Sequence, residues 1–301
     1  EYRRETYEIG QGDNLSTYFE GGQSFPGFAA SDAGKYKRTA KAVYLNFIAK
    51  PVDDLTVDLA GRYEDYSDFG DTAIGKITAR YDFSPAFALR GTASTGFRAP
   101  TLAESNYSAT NVAPTSATVQ LPPNSTASAL LGFGSLRPEK SPNFSAGIVL
   151  RPVSKLVATI DAYYIKIKDR IAGTSTIRGV VNGTPQTNLI NGMTAFAAVN
   201  AAIAARGVTL DSAVNTIGVA TFTNGIDTRT WGIDFQARYP VELAFGQLDL
   251  TLSANYNKTD VVENRIGTLF NAQAESFLET AQPKYKVLLD TTFTSGRFSA
   301  T

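Results

Sequence analysis

The sequence predicts an all-β protein, about ten antiparallel strands of a transmembrane β-barrel, and three observations carry that expectation. Apolar and polar residues alternate over most of the chain, a period of two that marks strands with one apolar and one polar face. Short turns such as Pro51-Val52-Asp53-Asp54, Ser84-Pro85-Ala86 and Arg151-Pro152-Val153-Ser154 alternate with the long inserts Ala99–Arg137 and Ala172–Thr230. A barrel in an outer membrane has short turns at one end and long loops at the other, whereas a soluble sandwich would not gather its long connections at one end. Charges also recur at alternate strand positions. Each Arg or Lys at the lipid midplane would cost roughly 2–4 kcal/mol, so these positions must face a polar lumen.

Taken in order, Glu1–Ile9 reads as a strand end and Gly10–Lys37, rich in Gly, Ser and Asp, as a loop. Arg38–Lys50 alternates, with Val43, Leu45, Phe47 and Ala49 on one side. In Leu55–Tyr66 the apolar row is Leu55, Val57, Leu59, Gly61 and Tyr63, opposite Thr56, Asp58, Arg62 and Glu64. Ile74–Phe83 sets Ile77, Ala79, Tyr81 and Phe83 against Lys76, Thr78, Arg80 and Asp82. Phe87–Phe97 sets Phe87, Leu89, Gly91, Ala93 and Phe97 against Arg90, Thr92 and Ser94, with Arg98 next in the polar row.

Beyond the first insert, Asn143–Arg151 runs back, with Phe144, Ala146, Ile148 and Leu150 on one side. Leu156–Ile171 then goes out with Leu156, Ala158, Ile160, Ala162 and Tyr164 in one row. Past Tyr164 that row carries Lys166, Lys168 and Arg170. About nine residues of tilted strand cross a bilayer, so the switch marks where the strand leaves lipid. Inside the second insert the Ala-rich stretch Thr194–Arg206 predicts a short helix. Trp231–Tyr239, Gln247–Asn257 and Pro283–Phe293 are the last strands, with a loop of roughly two dozen residues before the final one. Aromatic residues fall at both ends of the apolar rows: Tyr63, Phe97, Tyr164, Tyr256 and Tyr285 toward the long loops, Phe47, Phe83, Phe87 and Tyr239 toward the short turns. Two such girdles are expected at the two membrane–water boundaries.

Composition removes several function classes. Lys+Arg and Asp+Glu are equal at 28 each, so no basic field points to nucleic acid. There is no Cys and no His, which leaves no thiolate or imidazole for a metal, a disulfide or a Ser-His-Asp site. Neither catalysis nor a bound cofactor is expected. No apolar run approaches the roughly 18 residues of a membrane helix, as a barrel requires. The chain opens at Glu1 inside a strand and is read as a fragment or an incompletely represented mature chain, so missing export information says nothing about compartment.

The segment ALRGTASTGFRAPTLAE resembles the TonB-dependent outer-membrane receptors, in which a strand ending GFRAP enters an extracellular loop. Leu136-Arg137-Pro138-Glu139-Lys140-Ser141 is similar to that family's LxPExS element at the start of the next strand. The stretches Arg62–Gly70 and Tyr163–Ile171 also look like recurring strand ends of the family. The resemblance implies part of a barrel of about 22 strands with a plugged lumen. It further implies uptake of a scarce extracellular small ligand (metal chelate, vitamin or oligosaccharide) across outer-membrane lipid, driven through the plug by the inner-membrane TonB complex. The plug domain, its coupling box and the remaining strands are not expected within this sequence.

Candidate site residues fall in two groups. Asp58, Arg62, Glu64, Arg80, Arg90, Arg98, Asp161, Asp234 and Arg238 form the expected lumen wall, which would hold a plug and guide ligand or simply hydrate the interior. Arg98 and Glu104 flank the GFRAPTLAE turn and are expected to anchor the loop base. Glu64, Asp65, Asp68 and Asp71 are an acidic group at a strand end; without EF-hand spacing they read as a solvated loop rather than a calcium site. The long inserts are the expected ligand-capture elements, with Asn106, Tyr107, Asn111, Gln120 and Asn124 as contact candidates; their Ala/Ser/Thr content argues equally for mobility. The competing reading is a passive porin or adhesin-like barrel.

Overall fold

The computed structural model describes residues 1–18 and 27–301. In chain order its strands begin with β1 (Tyr2–Ile9), β2 (Gly34–Val52), β3 (Leu55–Tyr66), β4 (Gly70–Ser84) and β5 (Phe87–Arg98). The first insert holds α1 (Leu102–Asn106), β6 (Ala109–Ala113), β7 (Ser116–Leu121) and α2 (Thr126–Leu130). Strands β8 (Glu139–Leu150) and β9 (Val157–Gly173) follow. The second insert holds β10 (Ile177–Val181), β11 (Thr184–Pro185), β12 (Leu189–Ile190), β13 (Met193–Thr194) and α3 (Ala195–Ala205). The chain ends with β14 (Thr216–Leu243), β15 (Gly246–Asn264), α4 (Ala272–Thr280), β16 (Tyr285–Ser295) and β17 (Phe298–Ala300).

The main sheet has the order β1-β2-β3-β4-β5-β8-β9-β14-β15-β16-β17, an unbroken meander of antiparallel neighbours. Its register explains why the alternation in the sequence is so strict. Leu55, Tyr81, Leu89, Ile148, Ile160, Phe235, Ala254 and Val287 are successive cross-strand partners and form one apolar row. One position along, Arg80, Arg90, Gly147, Asp161, Asp234, Asn255 and Lys286 form a polar row. A slip of one residue in any strand would exchange the rows and put charge into lipid. Leu59, Ile77, Ile233, Val287 and Leu289 are exposed on the apolar face. A contiguous uncovered apolar surface spanning the sheet is what a bilayer covers. Among the described residues no helix is long and apolar enough to cross a membrane; the strands do so.

The two inserts, read from sequence as loops, fold together into one cap. The β6–β7 hairpin lies beside β14, whose first residues run parallel to β7 and antiparallel to β10. Helices α2 and α3 close over this small sheet around Val119, Leu121, Ala127, Leu131, Ile177, Val199 and Val219. Both inserts supply residues to the core, so neither could bury its apolar face alone. The predicted helix is α3: Thr194 caps it by accepting from the Ala197 N–H, and Ala195, Ala198, Val199, Ala202 and Ile203 are its buried stripe. Gly179 makes the close packing possible, because a Cβ there would lie 2.7 Å from Val199 Cβ.

Several boundaries differ from the sequence reading: β2, β4 and β8 begin earlier, at Gly34, Gly70 and Glu139, and a short β17 follows the strand read as last. Three further differences flank the second insert and α4. β9 continues to Gly173, β14 begins at Thr216 rather than Trp231, and β15 continues to Asn264 before α4. These extensions stand clear of lipid, so nothing imposes one apolar and one polar face on them, and alternation stops while pairing continues.

Candidate functional site

The nine expected lumen residues lie along the polar rows, and each one is partnered within the chain. Asp58 accepts from Lys76 (2.7 Å). Arg62 donates to Glu64 (2.6 Å) and to Glu1 (2.7 Å). Glu64 is buried and also accepts from Arg3 (2.6 Å) and Tyr66 (2.8 Å), so it belongs to a closed ionic cluster rather than to open wall. Arg80 donates to Asp82 (2.6 Å) and Arg90 to Asp161 (2.7 Å). Asp234 accepts from Asn255 and Arg238 donates to Asp249 (3.2 Å). Arg80 and Arg90 face each other across β4 and β5, which alone would be repulsive; their separate carboxylates relieve it. The wall therefore offers many hydrogen-bonding groups and little net field.

Two glycines shape this wall. Gly147 lies between Arg90 and Asp161 in the row, and a Cβ at Gly147 would collide with the Asp161 carboxylate. The missing side chain lets an ion pair span from β5 to β9 across β8. Gly232 does the same for Tyr163, whose ring lies over it and whose hydroxyl would meet any Cβ added there.

At the loop base Arg98 donates to Glu139 (2.6 Å) and to Glu104 (2.9 Å), and Glu139 also accepts from the Ile171 N–H (2.8 Å). GFRAP and LRPEKS, which resembled the family separately, are thus joined by one ion pair between register partners. Glu104 sits in a capping box with Thr101 at the start of α1. Burial pushes its pKa up, but hydrogen bonds from Arg98 and the Thr101 N–H override this and hold the carboxyl below its ordinary value. Arg98 and Glu104, expected at the loop base, are in contact there, and Glu139 is the partner that sequence reasoning missed. Its signal was the pairing of β5 with β8, which only a register could supply.

Two further ionic knots were not foreseen. Arg38 is buried, binds Asp68 through two nitrogens (2.9 and 2.6 Å), donates to the Pro100 carbonyl (2.7 Å) and lies over the Tyr66 and Phe69 rings. Arg206, at the C-terminal cap of α3, donates to Ser108 (2.7 Å) and to the Ser31 carbonyl, while Ser108 donates to the buried Asp32. This knot joins the β1–β2 loop, the first insert and the second. The acidic group Glu64, Asp65, Asp68 and Asp71 does not converge, since Glu64 and Asp68 are committed to different arginines. Among the described residues no acidic cluster is arranged to hold a metal ion.

Of the five insert candidates, Asn106 and Asn124 are brought together at one cleft and the others lie apart from it. Asn106 is buried; its amide donates to the Leu102 carbonyl (2.9 Å) and its oxygen accepts from Asn124 (3.4 Å). Tyr107 is half-buried edge-on to Phe28 at 6.3 Å between ring centres. Asn111 is exposed on edge strand β6, and Gln120 is half-buried on β7 on the same face of that hairpin, away from the cap core. Asn124 is exposed and lines a cleft of about 360 Å³ with Lys37, Phe69, Ser105 and Ser135. A second cleft of about 510 Å³ lies between β9, β14 and α4, lined by Arg170, Phe270, Asn271, Gln273 and Phe277. Phe277 is 70% exposed there, an aromatic ring left open at the mouth of the sheet.

The whole sequence, residues 1–301, matches the family described as TonB dependent receptor-like, beta-barrel. No curated protein matches it. Among solved structures it is similar to the ferric enterobactin receptor PfeA of Pseudomonas aeruginosa, at a TM-score of 0.60 and 13% identity over 99% of this chain and 36% of that one. It is also similar to the outer membrane transporter YddB of Escherichia coli, at 0.56 and 10% identity over 90% of this chain and 32% of that one. The siderophore receptor PirA of Pseudomonas aeruginosa follows at 0.50 and 15%, over 87% and 41%. The chain thus spans about a third of the length of these structures, and at such identities they speak for the fold alone. With the lipid-facing rows, the polar wall and the family match over every residue, the chain belongs to the TonB-dependent receptor β-barrel family of the Gram-negative outer membrane.

Proposed function

We propose that this barrel segment belongs to an energy-coupled receptor that captures a scarce ligand outside the cell and passes it along the lumen, and that the ligand is a metal chelate. The observation that carries the reading is the folded cap seated on a self-neutralised polar wall. An ordered cap with its own buried core offers preformed clefts for capture, and the wall provides hydrogen-bonding groups for a plug and for passage. The siderophore receptors among the structural neighbours favour a chelate over a vitamin or oligosaccharide. In this reading the cleft bounded by Arg170 and Phe277 receives the ligand: a guanidinium for an anionic chelate beside an aromatic face. Energy comes from the TonB complex acting on a plug within the lumen.

The test is uptake of radiolabelled ferric chelates by cells that carry the full receptor, with and without a functional TonB. Binding retained but accumulation lost without TonB is the expected result. Accumulation that is unchanged without TonB sinks the active-transport reading in favour of a passive pore.

A further inference from the structure

The outward face carries charge as well as apolar rows, and its charges are not all balanced. Just above the girdle formed by Phe144, Tyr164 and Trp231, the outward positions become basic: Lys166 and Arg229, then Lys140 and Lys168. Lys166 and Arg229 are direct cross-strand partners, yet each has a carboxylate of its own, Asp227 at 3.8 Å and Asp260 at 3.0 Å. Lys140 and Lys168 are also direct partners, both exposed, and among the described residues neither ammonium has an acidic partner. The nearby carboxylates are spent elsewhere: Glu139 on Arg98, Asp169 on Arg137 and Arg265, Asp227 on Arg265 and Lys166. Two like charges held opposite one another cost stability unless an anion lies between them.

Position selects the anion. Strand rise places Lys168 roughly 13 Å beyond Tyr164 along β9, at headgroup depth above the lipid-facing aromatic rows. Lysine stems lie along apolar surface and carry their ammonium groups toward the boundary. We propose that Lys140 and Lys168 together bind the phosphate of an anionic lipid headgroup in the outer leaflet, making this face a lipid-specific site distinct from the lumen. The inference rests on the membrane face alone and holds whatever passes through the interior.

The test compares the full receptor with the double variant Lys140→Gln/Lys168→Gln in nanodiscs of phosphatidylcholine, with and without bis-phosphorylated lipid A. The readouts are retained lipid A by native mass spectrometry and thermal unfolding. The parent is expected to retain lipid A about thirtyfold more tightly than the double variant, since each lysine contributes on the order of a fivefold gain. Lipid A should raise its unfolding temperature by several degrees more. In phosphatidylcholine alone the double variant should be at least as stable as the parent, because a repulsion has gone. Lys140→Arg/Lys168→Arg should keep the preference. Equal lipid A retention by parent and double variant overturns the proposal. So does a parent that keeps the same advantage over the double variant with dephosphorylated lipid A, or a parent stabilised as much by inorganic phosphate as by lipid A.

Discussion

At Gly147 the absence of a side chain does chemical work. The position is one of a polar row, and its neighbours Arg90 and Asp161 can meet only because nothing stands between them. Gly147→Ala is expected to break that pair and to lower the barrel's stability by about 1–3 kcal/mol, the range for a clash beside an ion pair. Gly75→Ala is the matched control, since a Cβ there would find only the Ala60 carbonyl at 3.6 Å. Gel-shift unfolding of the two variants measures the difference; equal losses would mean that backbone freedom, not the bridge, is what Gly147 supplies. Glu139 is the residue to remove at the loop base, where it holds Arg98 and the Ile171 N–H together. Glu139→Gln should leave the Arg98 charge only half compensated and make residues 99–137 several-fold more sensitive to protease, with no comparable change in the strands.

Protonation reaches the same ties. Glu104 and Asp227 lie outside the membrane span; each is pushed up by burial and brought below its ordinary value by hydrogen bonds, Glu104 from Arg98, Asp227 from the Asp169 N–H and Arg265. A depressed carboxyl stabilises the folded form above its unfolded pKa and loses that contribution as pH falls through its folded one. The cap should therefore be fully protected above about pH 5 and loosen below about pH 4, the window set by ordinary carboxyl values and the downward direction of both shifts. Hydrogen exchange of the cap amides at pH 7, 5 and 3.5 checks this, with unchanged protection at the lowest pH as the contrary result.

At the scale of elements, the strand faces make the sharpest wager. Leu250 pairs with Tyr239 in a lipid-facing row and Thr251 with Arg238 in a lumen row. Leu250→Arg should block assembly of the full barrel far more than Thr251→Arg, by roughly the 2–4 kcal/mol of a midplane cation. Equal defects would mean the rows are assigned to the wrong faces. The strands were legible in the sequence wherever lipid touched them, because lipid enforces the alternation of Leu248, Leu250, Leu252 and Ala254 against Gln247, Asp249, Thr251 and Ser253. The stretch Thr216–Thr230 was not, although it pairs throughout. Its surroundings are β7, β10 and water rather than lipid, so no two-residue pattern is imposed. Helix α3 was legible because Ala spacing and a Thr cap are local signals. The contacts of Arg38 and Arg206 were not, because each joins segments far apart in sequence.

For the molecule as a whole, the cap and the barrel are held by different forces. The barrel is ordered by register and lipid; the cap is ordered by a small apolar core and by the Arg206 knot. Removing Arg206 leaves the buried Asp32 and Ser108 without their cation. Arg206→Ala should raise proteolysis of all three joined loops together while the barrel keeps its resistance to unfolding in detergent. Loosening of the second insert alone would show that the knot does not couple them.

Strand β14 runs for 28 residues without interruption, from the cap core to the short turn at the other membrane face. At about 3.3 Å per residue the ribbon has a contour length near 90 Å, some three times the hydrocarbon thickness. Its register shifts between Asn224 and Thr228 but the strand does not break. A lid attached by flexible tethers could swing freely; this one is rooted in a continuous beam whose far end lies on the opposite side of the bilayer. Force applied to the cap is thus borne by the barrel wall.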